Sequence, residues 1–224
     1  MLEVRALNAW YGQAQVLFDL NFRLERGEMV LLQGLNGAGK SSLLQALMGL
    51  GPRVQGSICY AGQELGGLAP FERAAHGLGF VPEDRRLFTE LTVLQNLQLA
   101  ALTGSRQLVR PRVAERFADR LEATLALFAP LKPLLARTSL TLSGGEQQML
   151  SLARTLMTNP DMLLLEEPCE GVAPQLVESI LRALQSLQKA GLTLLVAEQS
   201  ENFSVRTDRV ITLVAGHIAL ALES

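Results

Sequence analysis

Gly34-Leu35-Asn36-Gly37-Ala38-Gly39-Lys40-Ser41 reads G-x-x-x-x-G-K-S. It follows the apolar run Met29-Val30-Leu31-Leu32, suited to a buried strand, and precedes the helix-forming segment Ser42 to Met48. Strand, glycine loop and helix in that order turn the motif into a mechanism. Glycines let successive backbone N–H groups close round phosphate oxygens, and the following helix points its positive end at the same anion. Asn36, Gly37, Ala38, Gly39, Lys40, Ser41 and Ser42 are therefore expected to hold a polyphosphate. Lys40 would reach the β- and γ-phosphates, and the Ser41 hydroxyl would ligate Mg²⁺. The stretch predicts a nucleotide site in an α/β fold.

Composition sets the frame around that site. The chain has 224 residues, which suits one α/β domain with a full core and leaves room for an inserted subdomain. Nearly half the residues are hydrophobic, yet no unbroken apolar run reaches the roughly 18 residues that a membrane-spanning helix needs. The first residues, Met1-Leu2-Glu3-Val4-Arg5, lack the basic flank and apolar core of a signal peptide and read as a first strand. A formal net charge of −2 with no basic cluster argues against nucleic-acid binding. Cys59 and Cys169 stand in no C-x-x-C spacing and fit reduced thiols of a cytosolic protein. His76 and His217 sit in no ligand motif and read as ordinary surface or core histidines.

Leu2, Val4 and Ala6 alternate with Glu3 and Arg5, and Leu20, Phe22 and Leu24 alternate with Asn21, Arg23 and Glu25. Two antiparallel strands are expected ahead of the glycine-loop strand. Tyr11 lies between them. It reads equally well as a flat platform for a purine and as a half-buried tyrosine at a strand end. Ser57 to Tyr60 and Leu78 to Val81 read as strands, with a short helix from Pro70 to His76 between them. Helical spacing begins at Thr92 with Val93, Asn96, Leu97 and Ala100-Ala101, and a polar gap covers Thr103 to Gln107. Val113, Phe117, Leu121 and Leu125 then mark a helix with one apolar stripe, which Pro130 and Pro133 break. A further helix is expected from Gly144 to Thr158. Beyond it come a buried strand at Met162 to Leu165, a helix from Pro174 to Ala190 and a strand at Leu192 to Val196. A last pair is expected at Val210 to Leu213 and Ile218 to Leu222. The pattern predicts one domain over residues 1–224. Residues 1–88 and 159–224 would form a nucleotide-binding core on a mainly parallel sheet, with 89–158 an inserted helical subdomain.

Two more stretches carry chemistry. Glu166 and Glu167 end the apolar strand as adjacent carboxylates. Neighbours at a strand end point opposite ways, so Glu166 would serve the metal. Glu167 would face the γ-phosphate and position or deprotonate the attacking water. Leu142-Ser143-Gly144-Gly145-Glu146-Gln147-Gln148 has Ser143 as N-cap and Glu146 at the third helical position, a capping box. Its glycines open a second anion site at a helix start. One nucleotide needs only one such site. A second makes sense if Ser143, Gly144 and Gly145 close over the nucleotide of a partner subunit, which predicts a dimer.

With these three motifs in this order and spacing, the whole chain resembles the ATP-binding subunits of ABC transporters. L-S-G-G-E-Q-Q is not a general feature of phosphate-loop proteins, so the combination is specific. The resemblance implies ATP and Mg²⁺ as ligands, Tyr11 as the adenine-stacking aromatic, and Ser143 and Gly145 on the γ-phosphate held by the other subunit. It also implies Glu83, where Gln is usual, as a sensor of Mg²⁺ and of the membrane partner. Gln199 falls where most of these proteins carry a switch His. Val81 to Phe88, Glu166 to Pro174 and Val196 to Gln199 look like the smaller ATPase of branched-chain amino acid importers, with urea and amide importers as relatives. The implied partners are a second ATPase, identical or a sister, transmembrane permeases and, through them, an extracytoplasmic binding protein. The implied place is the cytoplasmic face of the inner membrane. Glu166 stands where that subfamily has Asp and Leu35 where Pro is common. The longer side chain leaves a weakly hydrolysing regulatory half as the other reading of this subunit. Glu83, Glu166 and Glu167 beside a polyphosphate imply a steep Mg²⁺ requirement. Gln199 can donate a hydrogen bond but, unlike His, cannot take up and pass on a proton.

Overall fold

The computed structural model describes residues 1–104, 117–199 and 201–219. The chain runs β1 (Leu2–Tyr11), β2 (Ala14–Leu24), β3 (Met29–Gln33), α1 (Lys40–Met48), β4 (Arg53–Tyr60), β5 (Gln63–Glu64), α2 (Pro70–Ala75) and β6 (Leu78–Val81). There follow α3 (Val93–Gly104), α4 (Phe117–Leu127), two 3-10 segments and α5 (Gly144–Leu156). The rest is β7 (Met162–Glu166), α6 (Pro174–Lys189), β8 (Thr193–Ala197), α7 (Glu201–Ser204), β9 (Arg209–Val214) and β10 (His217–Ile218). One sheet, β2-β1-β4-β5, is antiparallel. The other, β10-β9-β3-β8-β7-β6, is parallel except for the β9–β10 hairpin.

The parallel strands are apolar throughout because both faces are covered. Side chains alternate across a strand. Val30, Leu32, Leu164 and Leu195 therefore join α1 and the antiparallel sheet in one core. Met29, Leu31, Leu163, Leu165, Leu194 and Val196 join α3 to α6 in a second. Among the described residues, 89–158 holds helices and 3-10 turns with only an isolated bridge, Thr92 to Thr138. Among the described residues this arm has no core separate from that of the sheet. Met149 and Leu152 of α5 pack in the same cluster as β7 and β8.

Two local expectations change. Ala6 does not share a face with Leu2 and Val4. It takes φ +49 and is exposed, its N–H donates to Asn21 Oδ1 at 2.8 Å, and Leu7 and Ala9 are buried instead. The pairing with β2 shifts between Val4 and Leu7, so a bulge turns the strand over. The strand ending at Tyr60 begins at Arg53, ahead of the expected Ser57, because β1 supplies a partner along its whole length. Of the expected apolar stripe, Leu125 is buried and Phe117 and Leu121 pack against the second core, while Val113 lies outside the described residues. Ser105 to Gln107 of the polar gap and Leu220 to Leu222 of the last expected strand lie outside them too.

Candidate functional site

β3 delivers the chain to the glycine loop at the carboxyl edge of the parallel strands, where open α/β sheets bind ligands. Gly39 is the N-cap of α1 at φ +104, and no side chain caps that helix. A Cβ at Gly39 would lie 2.9 Å from Leu17 Cδ2 and 3.2 Å from Leu213 Cδ2, so glycine alone lets the loop close this tightly. The uncapped helix start borders a cavity of about 560 Å³. Asn36, Gly37, Gly39, Lys40, Ser41 and Ser42 line it as expected, with Ala38 buried. Lys40 is itself 5% exposed; its Nζ donates to the Gly34 carbonyl at 2.9 Å and lies 3.5 Å from Glu167 Oε1.

Glu167 leaves β7 at φ +41 while its N–H donates to the Ala197 carbonyl at 2.8 Å. That turn sends the two acids to different places. Glu167 lines the cavity, and Glu166, the last residue of β7, is buried at 5% exposure and does not. Gln199 also lines it, donating from Nε2 to Glu167 Oε1 at 3.0 Å and to Asn36 Oδ1 at 2.6 Å. The two hydrogens of one amide can serve both acceptors. Gln199 thus ties the acid to the phosphate loop.

Glu83 reaches the cavity from the loop after β6. Sequence reading missed Glu170, which lines it as well. Its N–H donates to the Glu167 carbonyl at 3.1 Å, a turn that folds it back beside Glu167. A separate hydrogen bond between the Glu170 and Glu167 side chains raises the Glu170 carboxyl above its ordinary range, and slight burial and the charges of Glu167, Glu83 and Glu198 push the same way. An acid three residues beyond the strand-end pair was the available signal. Next to it, burial and Glu198 push the Cys169 thiol up to about 12, so it stays protonated.

Mg²⁺ binds oxygen ligands, keeps several waters and shares substrate phosphates. The Ser41 hydroxyl and the Glu83 carboxylate, both on the cavity wall, fit that donor set. Among the described residues no three His, Cys, Asp or Glu side chains cluster to hold a metal by themselves. Glu166 is not brought to this wall. Nor is Tyr11, whose hydroxyl donates to Gln45 Oε1 at 2.9 Å. Gln15, Val16 and Phe18 of β2 stand on the wall in its stead.

Ser143, Gly144 and Gly145 lie off this cavity. Glu146 Oε2 accepts from the Ser143 N–H and from its hydroxyl, both at 2.8 Å, so α5 caps itself. Gly145 is buried against Leu176 and Val172. Arg85, in the loop that carries Glu83, donates to Gln148 and Gln147 of α5 at 3.1 Å each, and Arg154 of α5 donates back to the Arg86 carbonyl at 2.7 Å. The loop and the second helix tip are fastened together.

Residues 17–170 match the ABC transporter family. The chain belongs to the ABC transporter family. Within it, the chain is an ATP-binding and ATP-hydrolysing cassette. It is 36% identical to the high-affinity branched-chain amino acid transport ATP-binding protein BraG of Pseudomonas aeruginosa, over 98% of this chain and 91% of that one. To the probable branched-chain amino acid transport ATP-binding protein LivF of Archaeoglobus fulgidus it is 34% identical, over 98% of this chain and 90% of that one. Among solved structures it is similar to an ATP-binding subunit of an ABC transporter at a TM-score of 0.84 and 29% identity, covering 98% of this chain and 88% of the other. No helix among the described residues of this ABC cassette is long and apolar enough to cross a membrane.

Proposed function

We propose that this ABC cassette is the ATP-hydrolysing motor of an importer for branched-chain amino acids. The observation that carries the mechanism is the meeting of Lys40, Ser41, Glu83, Glu167 and Gln199 on one cavity wall. The likeness to BraG and LivF over nearly the whole chain supports the substrate class. The backbone of Asn36 to Gly39 and the Ser42 end of the loop hold the phosphates, and Lys40 leaves the Gly34 carbonyl for the β- and γ-phosphates. The Ser41 hydroxyl and the Glu83 carboxylate would hold Mg²⁺, which would neutralise phosphate charge when bound. Glu167 accepts a proton from the attacking water, and Gln199 holds its carboxylate in place. Glu166 acts, if on the metal, only after moving out of its buried position at the end of β7.

Two subunits, identical or sisters, close head to tail, so that Ser143 and the Gly144 and Gly145 backbone of one meet the γ-phosphate held by the other. Glu83 and the arm behind it pass closure on to permease subunits at the cytoplasmic face of the membrane, and an extracytoplasmic binding protein delivers the amino acid. Glu167→Gln tests this directly. Steady-state hydrolysis should fall by about 100- to 10,000-fold, the range of a lost general base. ATP binding should survive, with the dimer accumulating under MgATP. Rapid turnover by that variant removes Glu167 from the role of base. ATP-dependent leucine uptake by vesicles carrying the complete transporter checks the substrate class.

A further inference from the structure

Glu198 is a buried carboxylate that the mechanism above leaves unused. It comes directly after β8 and is 5% exposed. Its N–H donates to the Leu32 carbonyl of β3 at 3.3 Å. Its Oε1 accepts from the Cys169 N–H at 3.1 Å, and its Oε2 from the Gln199 N–H at 2.9 Å. One residue thus joins the end of β3, which leads into the phosphate loop, to the stretches that carry Glu167 and Gln199. The residues on either side of it reach the same acid. The Ala197 carbonyl accepts from the Glu167 N–H at 2.8 Å, and the Gln199 side chain donates to Glu167 Oε1 at 3.0 Å. Glu167 stands at φ +41, a conformation that a residue other than glycine keeps only where its surroundings hold it. Cys169, two residues on, is where Glu198 takes hold of that turn.

Burying a polar side chain is costly unless its atoms are paired, and an apolar residue would end β8 without that cost. What the carboxylate adds is an acceptor on each of two oxygens; an amide there would turn its NH₂ on one of the two donors. We propose that Glu198 is a positioning residue for hydrolysis. With the Cys169 and Gln199 backbones on its two oxygens, it fixes the Glu167 carboxylate and the Gln199 amide at one spacing. Glu198 does not line the cavity, so it acts through those two residues. The inference rests on the reading of Glu167 as the base.

The test separates kcat from ATP binding in the purified full chain. Glu198→Ala should lower kcat about 30-fold, inside the roughly hundredfold that a misplacement of about 1 Å costs, and leave the calorimetric ATP affinity within about twofold. Glu198→Gln keeps the volume and one acceptor, and should lose about fivefold in kcat with binding again intact. In the Gln199→Ala background the further loss from Glu198→Ala should shrink to about threefold, because residues that act as a unit are not additive. A general weakening of the fold would carry its full factor into that background and take ATP binding down with kcat. Either result overturns the proposal, and so does an undiminished kcat in both Glu198 variants. Where Glu198→Ala does not fold, Glu198→Gln decides by the same two measurements. Glu167→Gln, assayed beside them, keeps the two readings apart. Rapid turnover there refutes the base, whereas Glu198 variants at full rate beside an inactive Glu167→Gln refute only the positioning.

Discussion

Two helices of this chain start in glycine-rich sequence, and they are prepared differently for an anion. At α1 the N-cap is Gly39, at φ +104, with no side chain on the helix start. At α5 the N-cap is Ser143, and the Glu146 carboxylate already accepts from the Ser143 N–H and hydroxyl. A phosphate at α1 meets open donors and a lysine. One at α5 meets a negative charge on the spot it would occupy. On the proposed function, the first tip binds its phosphate within a single subunit. On the same proposal, the second takes a phosphate only when closure of two subunits presses one on it, with the helix dipole favouring the exchange.

The largest effect should therefore come from α1. Lys40→Ala removes a charged donor from the triphosphate, and ATP affinity of the isolated chain should fall roughly a hundredfold, about 3 kcal/mol, measured by calorimetry. A loss below threefold would mean that the α1 tip does not hold the phosphates. At α5 the expected change is smaller and of another kind. Glu146→Gln keeps a side chain able to complete the capping box but removes its charge. The MgATP needed for half-maximal dimer formation, followed by light scattering in the Glu167→Gln background, should drop about threefold, or roughly 0.6 kcal/mol. ATP binding by single subunits should not change. If it does, the two tips are not separate sites and the contrast between them fails.

The contrast was readable from sequence because each tip is written in contiguous residues. Glycines, a lysine and a serine between strand and helix allow few other readings, and Ser143 with Glu146 announces its own cap. What sequence missed depends on distant strands. The bulge at Ala6 arises from the register of β1 against β2, so a simple alternation put that residue on the wrong face. Glu170 enters the cavity through a turn closed on the Glu167 carbonyl, and its spacing from the strand-end pair hints at this without fixing the turn. Phe18 reaches the wall because Gly216, nearly two hundred residues later in the chain, bonds β2 to the phosphate loop. Tyr11 is expected from sequence at the base, yet where its ring lies follows from a bond to Gln45 of α1.

The structure of the Glu167→Gln variant with MgATP measures the central relation, the distance from Ser143 to phosphate. The account predicts a dimer in which the Ser143 hydroxyl of one copy lies within hydrogen-bond reach of the γ-phosphate bound by Lys40 of the other, with Glu146 drawn off the Ser143 hydroxyl. A nucleotide-loaded structure in which Ser143 stays remote from every phosphate on either copy would contradict it.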